Sequence, residues 1–231
     1  MRHRVFVDQI APITVVTGEE FHHSVRVVRL RGGEEVELFD RSGRAVMATV
    51  ESIEKERATF TAGEPVPTRE SPLAIHLAMA IIQLEKFELV LQKATELGVH
   101  SIIPLVTDRI ELRSERYSGK KDRWERIIFE AVKQSGRTAP PALESPAHFT
   151  DVVARPGLRF LFEAGVEEST EPVVGQEITL LIGPEGGWSD EELSRARESG
   201  ACFRQLGPRR LRAETAAIAA TAIVAARFGD L

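Results

Sequence analysis

Only one cysteine, Cys202, occurs among the 231 residues, so the chain has no internal disulfide and no Cys-x-x-Cys pair for a metal or redox centre. Its expected place is as buried filler in a strand. No apolar run approaches the roughly 18 residues that cross a membrane, and the N-terminal MRHRVFVD has no apolar signal core; the chain reads as soluble and cytoplasmic. The six histidines are scattered. Their only close pair, His22 and His23, would point to opposite faces of a strand and so lacks chelating geometry; no metal is expected. Neither G-x-x-x-x-G-K-[ST] nor G-x-G-x-x-G occurs, which argues against an ATPase or an ordinary dinucleotide enzyme.

What is present is a globular composition, 42% hydrophobic and 28% charged, with length for one large or two small domains. The net charge of −5 hides a local exception. Between His22 and Arg31 stand Arg26, Arg29 and Arg31 without a single acid, a basic patch inside an acidic average.

Residues 1–66 alternate apolar and polar residues in short runs, RVFVD, EEVELFD, RAVMATVESI and RATFTAG, separated by glycine-rich and charged turns, which predicts a small β-barrel or sandwich. PVPTRESP, residues 65–72, reads as a linker and divides the chain into 1–68 and 72–231. Beyond it, apolar strand-length runs (LAIHLAMA, SIIPLV, LRFLFEA, ITLLIG, CFRQLG) alternate with amphipathic helical patterns. EKFELVLQKATELG places Phe87, Val90, Leu91, Ala94 and Leu97 on one face, and KKDRWERIIFEAVKQSG does the same with Trp124, Ile127, Ile128, Ala131 and Val132. An alanine-rich helix, AETAAIAATAIVAARF, closes the chain. The alternation predicts an α/β domain with a parallel sheet covered on both faces.

Ligands of such sheets gather at the carboxyl ends of the strands. Three of these ends carry unusual loops: LFEAG from Leu161, GPEGGW from Gly183, and LGPRRLRAET from Leu206. If their strands are neighbours, the loops form one pocket. Ser189 and Glu192 have the spacing of a capping box, and with Asp190 and Glu191 they fill the first turn of the following helix with acid. A phosphate would be repelled there, so the expected ligand is one held by backbone that the glycines leave exposed. The plain alternative is a tight strand-to-helix turn.

LLIGPEGGWSDEEL followed by LGPRRLRAETAAIAA resembles the C-terminal signature of the bacterial 16S rRNA uridine-N3 methyltransferase family, in the SPOUT class of S-adenosylmethionine enzymes. HHSVRVVRLRGGEEVELFD resembles that family's N-terminal RNA-binding domain, KFELVLQKATELGV its first methyltransferase helix, and AVKQSGR its central segment. The likeness runs in order along essentially the whole chain. It departs at Trp188, where phenylalanine is usual, at Lys133, where an acid is common, and at Ile110, where a small polar residue is usual.

The resemblance implies a PUA-like small β-barrel plus a SPOUT α/β domain threaded as a trefoil knot, a homodimer, and S-adenosylmethionine as methyl donor. It also implies a target uridine at the decoding centre of the small ribosomal subunit. Carried over residue by residue, it places the cofactor against Leu161, Phe162 and Glu163, against Gly183, Pro184, Glu185, Gly186 and Gly187, and against Leu206, Gly207 and Leu211. Arg212 would stabilise negative charge on the uracil, and Glu214 would orient Arg212 or take the proton. The RNA contacts would be Arg4, His22, His23, Arg26, Arg29 and Arg31 in the first domain and Arg109, Arg113, Arg116 and Arg137 in the second. Residue type alone leaves other readings open: Phe162 as core, Glu214 as a first-turn acid of the last helix, any single arginine as surface charge. The rival for the whole chain is a non-catalytic RNA-binding assembly factor that senses the cofactor.

Overall fold

The computed structural model describes residues 3–40, 42–110, 117, 119–170 and 175–231. It divides into two compact units, Met1–Glu70 with Val132–Pro140, and Ser71–Ala131 with Pro141–Leu231.

In the first unit the alternating runs form β1 (Arg4–Phe6), β2 (Ile13–Thr17), β3 (Glu35–Phe39), β4 (Ala45–Ile53) and β5 (Arg57–Pro65). They make one sheet in the order β1-β3-β4-β5-β2, antiparallel except for the parallel pairing of β1 with β3. Val36, Leu38, Val50 and Phe60 from the central strands build its core. No ladder joins the edge strands β1 and β2 among the described residues, so the sheet is open where a closed barrel was expected. β2 was not anticipated, because its apolar residues fall on both faces, with Ile13 and Val15 exposed and Val16 buried.

The chain leaves β2 through a short helix, α1 (Gly18–Phe21), and a π-helical segment, His22–Val27. His22 and His23 therefore stand on a helical turn and not on a strand, and both are exposed. Successive side chains still diverge on such a turn, so the pair remains unsuited to chelation.

Glu37 explains why residues 132–140 belong with the N-terminal sheet. Its carboxylate, 5% exposed, accepts from Arg4 Nε at 2.9 Å and from Arg69 Nη2 at 2.8 Å. Arg4 in turn donates to the carbonyls of Val132, Lys133 and Arg137 and lies 4.2 Å from the centroid of the Phe39 ring. Beside it, Glu70 accepts from Arg137 and from the backbone N–H groups of Thr138 and Ala139. A boundary placed at a proline-rich linker has no way to include a segment held by arginines so distant in sequence.

The second unit contains β6 (Ala74–Ala80), α2 (Leu84–Glu96), β7 (Ser101–Val106), α3 (Lys121–Ser135), β8 (Ala142–Leu143), β9 (Ala147–His148), α4 (Phe149–Val153), β10 (Leu158–Phe162), β11 (Glu177–Ile182), α5 (Asp190–Glu198), β12 (Cys202–Arg204) and α6 (Ala213–Phe228). The last turn of α3 falls in the first unit. All pairings of the sheet are parallel, in the order β12-β10-β11-β6-β7-β8, with β9 also on β7. Strand alternation sends Leu77, Met79, Phe160, Phe162, Leu180 and Ile182 to one face, under α2, α3 and α6. It sends Ala78, Leu161, Leu181 and Phe203 to the other, under α4 and α5. β8, β9 and α4 are too short to show a period in sequence. Cys202 is only half-buried, at the edge of the sheet.

Burial works to raise the Glu37 carboxyl, but its bonds with Arg69 and Arg4 outweigh that and hold it below its ordinary value. Glu70 is depressed in the same way: its burial is overcome by Arg137 and by the backbone donors of Ala139 and Thr138. Burial pulls Arg4 down, yet a guanidinium stays charged wherever the protein is folded, so the carboxylates are the titrating partners. A carboxyl depressed below its unfolded value of about 4.3 adds stability above that value and loses it as pH falls through the folded value. Glu37→Gln, which leaves Arg4 buried against a neutral group, is expected to cost about 3 kcal/mol at pH 7. The same variant should show a flatter loss of stability below about pH 4.3, as measured by urea unfolding across pH.

Candidate functional site

β10 lies between β11 and β12, with Phe160 opposite both Leu180 and Cys202, and Phe162 opposite both Ile182 and Arg204. The three strands end level, so the loops that follow them meet. Between the loops is an open cleft. Of the residues expected there, Phe162, Glu163, Gly183, Pro184, Glu185, Gly187, Leu206, Gly207 and Leu211 line it. Ile182, Trp188, Arg209, Arg210, Ala213 and Ala216 line it too. The side chain of Leu161 turns to the opposite face of the sheet and is fully buried there. Gly186 faces away from the cleft, and a Cβ on it would stand 3.3 Å from Arg109 Cβ.

The GPEGG loop is shaped by what lies beneath it. Trp188 is buried, donates from Nε1 to Phe162 O at 3.1 Å, and packs 5.0 Å from the Phe149 ring. Gly183 rests on the indole so closely that an added Cβ would stand 3.0 Å from its Cε2 atom. At the far end Gly187, at φ +70°, takes a left-handed conformation that side chains resist, and its N–H closes the turn onto Pro184 O at 2.9 Å.

The capping box forms. Ser189 Oγ accepts from Glu192 N at 3.1 Å, and Glu192 Oε2 accepts from Ser189 N at 2.8 Å. Glu192 Oε1 accepts from Asp108 N, and Ser189 Oγ donates to Asp108, so the segment after β7 is latched to the start of α5. Burial raises the Glu192 carboxyl despite those backbone bonds. Three cations fasten the loop: Lys86 on the Glu185 carboxylate, Arg109 on Gly186 O, and Arg210 on Glu185 O. Arg210 was visible in PRRLR but unassigned; Lys86 meets Glu185 across 99 positions of sequence, a distance at which spacing carries no signal.

The two carboxylates of the cleft stand in different settings. Glu185 is exposed and ion-paired, while Glu163 is half-buried and accepts from Ala164 N at 3.0 Å. Arg212 is the exposed N-cap residue of α6. Glu214, in the first turn of that helix, is 9% exposed, and its Oε2 has no hydrogen-bond partner among the described residues. No bond joins Arg212 to Glu214 among them, so the structure does not display the orienting contact. A buried carboxylate oxygen without a donor carries a desolvation cost that a bound group could relieve.

Of the arginines expected to meet RNA, Arg4 and Arg137 are committed to the braces described above. Both are corrections: buried ion-paired guanidinium groups are not free for phosphates. His22, His23, Arg29 and Arg31 are exposed, and Arg29 has a positive φ of 63°, a strained conformation for a side-chain-bearing residue that is often found at functional positions. Arg109 is exposed beside the GPEGG loop. The side chain of Arg26, and Arg113 and Arg116 entirely, lie outside the described residues.

The family model described as RNA methyltransferase domain matches residues 69–225, and the one described as RNA methyltransferase PUA domain matches residues 16–62. A ribosomal RNA small subunit methyltransferase E of Bacillus subtilis is 30% identical over 93% of this chain and 90% of its own length. The protein of that name from Synechocystis is 34% identical over 96% and 77%. Among solved structures, a protein of Legionella pneumophila described as a methyltransferase with bound cofactor SAM superposes with a TM-score of 0.87 at 34% identity, covering 100% of both chains. A ribosomal RNA small subunit methyltransferase E of Neisseria gonorrhoeae bound to S-adenosyl methionine does so at 0.88 and 28% identity, again over 100% of both.

The Gly183–Trp188 contact can be tested by a double-mutant cycle. Gly183→Ala forces the buried indole to move and should cost about 1–3 kcal/mol of stability. In a Trp188→Phe background the colliding atoms are gone, and the added penalty should fall below about 1 kcal/mol; chemical denaturation of the four proteins measures both.

Proposed function

The chain belongs to the RNA methyltransferase family, and on that premise we propose that it methylates N3 of one uridine of 16S rRNA, at the decoding centre of the small ribosomal subunit, with S-adenosylmethionine as donor. The observation that carries this reading is the cleft at three adjacent strand ends. Its lining joins Phe162, Ile182, Trp188, Leu206 and Leu211 to the carboxylates of Glu163 and Glu185 and to bare glycine backbone, a combination of apolar surface, acceptors and open backbone that fits a purine nucleoside with a positively charged amino-acid tail.

When bound, S-adenosylmethionine supplies a methyl group on a sulfonium that leaves as a neutral thioether. The chain's own part is alignment and proton removal. Phe162, Leu206 and Leu211 would hold the nucleoside, and Glu163 its polar groups. Alignment alone can supply about 7–11 kcal/mol of such a barrier at best. As uracil N3 gives up its proton, Arg212 would stabilise the charge left on the ring, and Glu214 Oε2 would accept the proton.

Further parts of the reading have separate support. We read residues 1–68 as the RNA-binding domain and 72–231 as the catalytic one, with His22, His23, Arg29, Arg31 and Arg109 meeting RNA. A trefoil knot is favoured by β12: one edge pairs with β10, while Phe203 exchanges bonds with Ser169, which lies on the connection from β10 to β11. A homodimer is favoured by the outer surface of α6, where Ile223 is exposed among alanines. A ribosomal substrate places the reaction in the cytoplasm.

The test is incubation with labelled S-adenosylmethionine and small subunits that lack the modification, followed by mapping. Label on N3 of a single uridine is expected; cofactor binding without transfer to subunits or rRNA would favour the sensor. Arg212→Ala should lower kcat by about 10²-fold or more while cofactor affinity, by calorimetry, stays within about threefold. Unchanged turnover would remove Arg212 from the mechanism.

A further inference from the structure

The GPEGG loop is held by side chains from three separate stretches of sequence, and two of those holds are weak in a telling way. Lys86 forms an ion pair with Glu185. Arg109 Nη1 and Arg210 Nη2 instead donate to neutral backbone carbonyls, of Gly186 at 3.0 Å and Glu185 at 3.2 Å. Both arginines are exposed, and among the described residues neither belongs to an ion pair. A guanidinium has five N–H donors in a planar fork, so each keeps donors to offer.

Their placement matters as much as their freedom. Arg210 lines the cleft from the third loop, and a Cβ added to Gly187 would stand 3.9 Å from its Nη2. Arg109 lies against the outer side of Gly186. Two charged forks therefore hold the same five-residue loop, Arg210 from the cleft side and Arg109 from the side turned away from it. Glu185 is neutralised by Lys86, which leaves Glu163 as the cleft-lining carboxylate without a cation partner among the described residues. A bond from a guanidinium to a phosphate oxygen is charge-assisted and roughly twice as strong as one to a neutral carbonyl. A phosphate arriving at the cleft should displace Glu185 O from Arg210.

We propose that Arg210 grips a phosphate of the RNA beside the target nucleotide, exchanging Glu185 O for that phosphate when RNA binds. Without RNA, Arg210 straps the third loop to the second across the cleft. With RNA, the strap is released and the guanidinium becomes a positioning contact. The inference rests on the reading of RNA as the substrate, and it adds Arg210 to a contact set from which sequence reasoning had left it out.

The experiment measures binding of deproteinised 16S rRNA and of unmethylated small subunits across a salt series, with steady-state transfer on the subunits. Arg210→Ala should reduce the slope of log K against log salt by about one and raise KM about tenfold, with a smaller fall in kcat. Arg210→Lys should keep the slope near that of the wild type, because counterion release depends on charge and not on the fork. An unchanged salt slope in Arg210→Ala overturns the proposal. So does a loss of S-adenosylhomocysteine affinity or kcat without a change in slope, which would make Arg210 a structural tie. Absence of transfer by the wild type would defeat the methyltransferase reading itself, and the salt slopes of direct binding would still decide the role of Arg210.

Discussion

Parallel pairing of β10 on both of its edges is the constraint on which the rest of the second unit depends. With β11 on one side and β12 on the other in matched register, three polypeptide loops must leave the sheet at the same level and side by side. A cleft is the consequence, and the residues that line it are those that each strand happens to carry just past its end. The same pairing fixes which side chains stay out: Phe162 faces the cleft side, while Leu161, one residue earlier, is committed to the other core.

The middle loop is rigid for reasons of space and of hydrogen bonding together. Trp188 fills the volume that a side chain at Gly183 would need, so glycine and tryptophan are a matched pair. Ser189, Glu192 and Asp108 then fix the start of α5 and the end of β7 to each other. Burying the Glu192 carboxylate is unfavourable in itself, as its raised pKa records. Its two accepted backbone bonds offset that in part, and Lys86, Arg109 and Arg210 hold the loop that precedes it.

Much of this was legible in the sequence. The apolar runs of β6 and β11, the helical period of α2 and the alanine-rich stretch of α6 led to elements close to those found, and the three strand-end loops identified the cleft. Ser189 and Glu192 announced the capping box because its spacing is local. What stayed hidden depends on contacts between distant residues or on segments too short to show a period: the braces of Arg4 and Arg137, the Lys86–Glu185 pair, the π-helical turn at His22, and the open edges of the first sheet. Arg4 and Arg137 were expected at the RNA because charge is visible in sequence, whereas the carboxylates that claim them, Glu37 and Glu70, lie 33 and 67 positions away. Trp188 was visible only as a departure from a family pattern, and its role as the floor of the loop appears only in three dimensions.

The central claim is that this cleft holds the methyl donor, and the most direct measurement is titration calorimetry of the purified chain with S-adenosylhomocysteine in the absence of RNA, set beside Gly187→Val. The account predicts one site per chain in the wild type. In the variant, which circular dichroism should find folded, affinity should fall at least about tenfold, since a loss of about 1.4 kcal/mol already gives that factor. No binding to the wild type, or equal binding to both proteins, would contradict it.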